Sequence, residues 1–194
     1  LVRPILSRSQ ELYVFSDPAS NIPAKSISAK LGARVGENSL TTQVNQRYMA
    51  EIMAGLSKKI MLRAGTSFSN IYSNRLQWES AKAYVKWRFY SRDAIHRHFR
   101  LAAFADGAYA GHPMVYDEMN LDGDNSGIQA GLIGTQLIQK LAISGSASLM
   151  RVFDEKFRTG GHRNLHDQNA LNYSLSAGYL LFPRIYSGYD QVNL

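Results

Sequence analysis

The stretch Trp78-Glu-Ser-Ala-Lys-Ala-Tyr-Val-Lys-Trp-Arg-Phe-Tyr90 separates into two chemically different sets when every second residue is taken. Ala81, Ala83, Val85, Trp87 and Phe89 make one set; Ser80, Lys82, Tyr84, Lys86, Arg88 and Tyr90 make the other. Successive side chains of a β-strand point to opposite faces, so a period of two gives each set its own face. Wound as a helix, the same residues would scatter lysine and tryptophan around the whole circumference and leave no apolar stripe to bury. The stretch therefore predicts a strand with one apolar face and one basic, polar face.

The same alternation recurs along the chain. Residues 26–35 set Ile27, Ala29, Leu31, Ala33 and Val35 against Ser26, Ser28, Lys30, Gly32 and Arg34. Residues 47–57 set Tyr48, Ala50, Ile52, Ala54 and Leu56 against Arg47, Met49, Glu51, Met53 and Gly55. A helix is an open alternative for this segment, because Ala, Glu, Met and Leu are good helix formers. Residues 60–69, 97–111, 127–137, 140–150 and 169–181 complete a set of about eight patterned strands. A weaker candidate stands at each end, at residues 12–15 and 186–194. Each patterned stretch runs about ten residues, the length that crosses a bilayer when tilted. The mean strand of a soluble protein is about half as long.

Composition bounds the classes that remain. With 194 residues, one substantial domain spanning 1–194 is expected, opened by an irregular segment over 1–24 with a short strand candidate inside it. Cysteine is absent, which excludes disulfides, thiolate catalysis and cysteine-based zinc sites. No run approaches the roughly 18 uninterrupted apolar residues that a membrane helix needs, but barrels cross with alternating strands that average to neutral hydropathy. The formal net charge of +7 raises nucleic acid as a partner. The basic residues are spread through strand-like segments, not gathered in a helix or tail, so no nucleic-acid partner is expected.

Loop lengths carry a second signal. From residue 36 onward the connections run long, short, medium, short, long, short, long, short. Barrels of the bacterial outer membrane have tight turns on one rim and longer loops on the other, whereas a soluble meander has no reason to sort its loops by parity. Two further features favour apolar side chains facing lipid. Tyr48, Trp78, Phe89, Tyr109, Tyr173 and Tyr179 lie near strand ends, as interfacial girdles require. The polar faces are rich in small residues such as Ser28, Gly65, Ser67, Ser144, Ser146 and Ser148, which suit a narrow interior.

Through this alternation and loop parity, residues 12–194 resemble small bacterial outer-membrane β-barrel proteins. The resemblance implies an all-β, antiparallel up-and-down transmembrane β-barrel of about 8–10 strands in the outer membrane of the cell envelope. It further implies a structural, accessory-subunit or porin-like narrow small-solute role without enzymatic activity. The implied partners are the lipid bilayer, lipopolysaccharide and other outer-membrane proteins. Family members end in an aromatic residue that the assembly machinery reads, whereas this chain stops at Gln191-Val-Asn-Leu194. Leu1-Val-Arg-Pro is not a signal peptide, which decides little; with both ends ragged, the expectation is a barrel incomplete at its termini.

Within that fold, Lys30, Arg34, Arg47, Arg63, Lys82, Lys86, Arg88 and Arg100 are expected on the lumen wall, with Glu51 and Asp106 as acidic partners. Such a wall either attracts anions or is a filled interior whose cations bond to hydroxyls, backbone and water. The loop over 112–126 gathers Asp117, Glu118, Asp122, Asp124 and Asn125. Closely spaced carboxylates suit a hard cation, making Asp117, Asp122 and Asp124 candidate Ca²⁺ ligands over 117–125, although EF-hand spacing is lacking. The structural alternative is a polar loop with a tight turn, and no other cofactor is expected. His112, Met114 and Met119 offer a weak soft-metal set. His96 and His98, two apart, read as rim residues or a chelating pair. His162 and His166 read the same way.

Two competing classes stand beside the membrane barrel. A soluble, lipocalin-like barrel would turn the apolar faces inward around an apolar ligand. A rim-active hydrolase would bring His112, His162 or His166 to Asp117 or Asp122, though the chain has no nucleophile elbow.

Overall fold

A computed structural model describes residues 17–37, 44–71, 75–94, 97–111, 121, 125–153 and 168–179. These residues contain eight strands: β1 (Ile27–Glu37), β2 (Val44–Gly55), β3 (Ile60–Ser69), β4 (Gln77–Ala94), β5 (Arg97–Ala110), β6 (Ser126–Ile138), β7 (Leu141–Phe153) and β8 (Gln168–Tyr179). They form one sheet in the order β1-β2-β3-β4-β5-β6-β7-β8, every neighbouring pair antiparallel. The architecture is an all-β, up-and-down sheet curled into a half-barrel. No helix occurs among the described residues. The helical alternative for residues 47–57 is not adopted, since β2 runs through them. There Tyr48 faces Phe68 and Ile52 faces Ala64, pairings that a helix would forgo. The end-strand candidates at 12–15 and 186–194 lie outside the described residues, and β1 and β8 do not pair with each other within them.

Turns sort by rim. Residues 56–59, 95–96 and 139–140 join strands at one end, while 38–43, 70–76, 111–125 and 154–167 join them at the other. The two-residue turn at 139–140 is made by Gln139 adopting φ 53°, the positive φ such tight hairpins require.

Burial runs opposite to that of a soluble sheet. Leu31 is 83% exposed, Leu175 80% and Tyr173 83%, whereas Lys86 is 2% exposed and Glu79 1%. The outer surface is apolar along every strand, from Ile27 and Leu62 to Leu132, Leu149 and Leu171. The concave surface holds Ser67, Ser80, Asp106, Thr135, Ser144 and Ser148 out of solvent. Among the described residues its apolar packing includes two small clusters, one of Ala19, Ala102 and Ile133 against Phe104, another of Leu121, Met150 and Val152.

Two bulges interrupt the alternation of β4 and correct the sequence assignment. Ser67 faces Ser80 but Phe68 faces Trp78, leaving Glu79 as the extra residue. A bulge places two residues opposite one and re-aims a side chain. Glu79 and Ser80 are therefore both buried while Trp78 swings outward to stack on Tyr109, ring centroids 6.2 Å apart. At the other end Phe89 is the extra residue between Arg88 and Tyr90. Tyr90, expected on the polar face, instead meets Phe99 edge-on at 6.0 Å on the apolar one.

Candidate functional site

The concave face is the candidate site, and it is filled by the chain itself. Residues 17–22 run as an irregular strap along it. Pro18 within it and Pro23 just after it have no N–H to give to a strand ladder, so the remaining polar groups must find other partners. Asp17 Oδ2 accepts from Arg63 Nη2 at 3.0 Å. The Pro18 carbonyl accepts from Lys86 Nζ at 2.8 Å. Ala19, fully buried, donates its N–H to Thr135 Oγ1 at 2.8 Å, and Thr135 is in turn 2.9 Å from Ser144 Oγ. Ser20 Oγ accepts from Arg100 Nη1 at 2.9 Å. Four strands, β3 to β6, thus converge on four successive strap residues, which only a curled sheet permits.

The strap leaves the interior through a tight exit. Lys25 adopts φ 62° and donates its N–H to the Gly55 carbonyl at 2.6 Å, while Ser26 caps the Pro23 carbonyl through Oγ at 2.6 Å. A Cβ at Gly55 would collide with the Pro23 carbonyl, so the glycine is what lets the strap cross the end of β2.

A second assembly lies towards the long-loop rim. Arg47 donates from Nε and Nη2 to Glu79 Oε1, at 3.1 and 2.6 Å. Ser67 Oγ donates to Glu79 Oε2 at 3.0 Å and sits 2.7 Å from Ser80 Oγ. Both charges are buried, and two buried charges are tolerated when each is paired and its remaining oxygens are bonded. Between the two assemblies Lys82 Nζ lies 3.4 Å from Asp106 Oδ2, and the Arg63 guanidinium sits 4.3 Å over the Tyr84 ring.

The remaining sequence candidates fall as follows. Arg88 hydrogen-bonds the Lys58 carbonyl at 2.6 Å, at the short-turn rim. Glu51 faces Gly65 and Lys30 in register and lies within electrostatic reach of Arg63. Lys30 and Arg34 are solvent-exposed on β1. At the short-turn rim Asp93 accepts from Arg100 at 3.5 Å and lies 2.8 Å from His98 Nδ1. The acid count left at Glu51 and Asp106 by alternation therefore rises by Asp17, Glu79 and Asp93. Glu79 was hidden by the bulge and Asp17 by the strap's lack of periodicity. Asp93 lies beyond the patterned stretch that ends at Tyr90, on the extension of β4.

Asp117, Asp122 and Asp124, the proposed Ca²⁺ ligands, lie outside the described residues, as do His96, His112, Met114, Met119, His162 and His166. No cluster of three metal-ligating His, Asp or Glu occurs among the described residues. The interior can hold a chain segment through charge-assisted bonds, and its cations already have partners.

No protein-family model, curated protein or solved structure matches the chain.

Proposed function

We propose that this chain is a bacterial outer-membrane β-barrel with a self-filled polar interior, acting as a structural element or accessory subunit rather than an open pore. The observation that carries the reading is the inverted burial on the inner strands: Lys86 and Glu79 are shielded while Trp87, Leu132 and Leu149 stand free. In water each large apolar side chain left exposed forgoes about 1.5–3 kcal/mol, and a continuous apolar surface invites aggregation. Facing hydrocarbon, the same surface is stable. A lipocalin-like soluble barrel would need the opposite sense on the inner strands β3 to β7.

The aromatic spacing fits. Trp78 with Tyr109 stands near one end of β4, and Trp87 with Phe89, 5.7 Å between centroids, lies in its second half. The nine residue steps from Trp78 to Trp87 span about 30 Å along a strand, or about 23 Å of membrane depth at the usual barrel tilt. Girdles flank an apolar band about 25 Å tall in such barrels. The narrow-channel role is disfavoured by the strap, whose bonds engage Arg63, Lys86 and Arg100, three of the cations an anion path would use.

The test is extraction and gel behaviour. A membrane barrel requires detergent or lipid to stay monodisperse and migrates differently in SDS before and after heating. A monodisperse preparation free of detergent would overturn the reading.

A further inference from the structure

On the outer face, at the short-turn rim, Tyr90, Arg92 and Ala94 of β4 lie beside Arg97 and Phe99 of β5 and Gln136 of β6 around a recess of about 550 Å³. Arg92 faces Phe99 and Arg97 faces Ala94, so the two arginines stand diagonally on adjacent strands, a spacing of about 7–8 Å. Both are exposed, and neither guanidinium is bonded to a described residue. The one acid of this rim among the described residues, Asp93, is turned to His98 and Arg100. Lys25, Lys58, Lys59 and Lys140 belong to the same end of the sheet. The recess is thus cationic at its outer edge and aromatic behind it, where Tyr90 meets Phe99.

Two of the strands through the recess, β4 and β5, grade from charge to aromatic to aliphatic. β5 reads Arg97, Phe99, Leu101, Ala103 outward-facing, and β4 reads Arg92, Tyr90, Trp87, Val85 in the same direction. Beside Ala103 the next strand offers Leu132. That sequence of chemistries matches a lipid molecule: a phosphate on the guanidiniums, a glycerol backbone beside Tyr90 and Gln136, an acyl chain over Leu101 and Leu132. Arginine is the side chain suited to bidentate phosphate recognition.

Resting on the transmembrane reading above, we infer that this recess is a binding site for the phosphate headgroup of an anionic glycerophospholipid in the leaflet at the short-turn rim. The site differs from a general basic girdle because it joins two arginines, unpaired among the described residues, to an aromatic floor and an apolar track.

Trp87 provides the readout, since it lies on the track next to Phe89. In a Trp78→Phe background it is the sole tryptophan. The barrel is reconstituted in phosphatidylcholine vesicles containing a small fraction of lipid brominated on its acyl chains, either phosphatidylglycerol or phosphatidylcholine. Brominated phosphatidylglycerol is expected to quench Trp87 as if enriched about fivefold or more, the gain one basic residue confers near anionic lipid. Arg92→Gln/Arg97→Gln should abolish that contrast, with each single variant intermediate. Lys58→Gln/Lys59→Gln removes equal charge from the same rim and should preserve it. Equal quenching by the two lipids in the parent would overturn the site and leave the transmembrane reading standing. Loss of the contrast in the lysine pair as complete as in the arginine pair would also overturn it, assigning the effect to bulk charge. Quenching by neither lipid would overturn the transmembrane reading itself.

Discussion

Lys86 Nζ and the carbonyl of Pro18 meet at 2.8 Å although 68 residues separate them, and the lysine is almost wholly out of solvent. An ammonium so placed needs oxygen partners, because an unpaired buried charge costs several kcal/mol. The strap supplies one. The filled interior and the curl of the sheet are therefore one structural fact: the cations of β3, β4 and β5 hold the strap, and the strap lets those cations stay inside.

Removing residues 17–22 should open the interior. In planar bilayers the full chain is expected to pass little current, and the shortened chain an anion-selective one, because Arg63, Lys86 and Arg100 lose their strap partners. Equal conductance of the two chains would count against the strap as a plug.

Gly55→Ala should displace the strap without touching any charge. The added Cβ meets backbone at Pro23, not a flexible side-chain end. Overpacking of this kind costs about 1–3 kcal/mol. Limited proteolysis should cleave the strap of the variant faster than that of the parent. Unchanged cleavage would mean that the exit has room to spare.

Arg47 and Glu79 should behave as a unit. Glu79→Gln removes the carboxylate bonded to the buried Arg47 guanidinium and should lower stability by about 3–5 kcal/mol in urea unfolding from vesicles. Arg47→Met/Glu79→Leu should recover most of that loss, since a well-packed apolar pair is often neutral. Additive effects of the two single changes would contradict a coupled pair.

Leu132→Arg separates the membrane reading from a soluble one. Leu132 is exposed near the middle of β6. On a soluble protein an exposed Leu→Arg change is close to neutral, about 0.5 kcal/mol either way. On a lipid-facing strand near the bilayer midplane it should cost about 2–4 kcal/mol. The folded fraction in vesicles, scored by heat-modifiable migration, reads the difference.

Much of this fold is legible in the sequence because alternation is local. Ala81, Ala83, Val85 and Trp87 declare their face by spacing alone, and any strand pairing preserves it. The same logic marked Lys82, Lys86 and Arg100 as inward and sorted the turns by rim. It failed at Tyr90 and said nothing of Glu79, because a bulge is a property of two strands. Which residue of β4 becomes the extra one depends on how β3 aligns with it, and β3 carries its own pattern without a mark at Ser67 or Phe68.

The sequence by itself determined the strands, the chemistry of their two faces and the parity of their turns, since a two-residue period needs no distant partner to be read. Tertiary structure alone decided what fills the interior. The strap has no periodicity, and its bonds reach 46 residues to Arg63, 68 to Lys86, 80 to Arg100 and 116 to Thr135. Curvature of the sheet brings those four side chains to one short segment, and curvature arises only when the strands lie together with their shared twist.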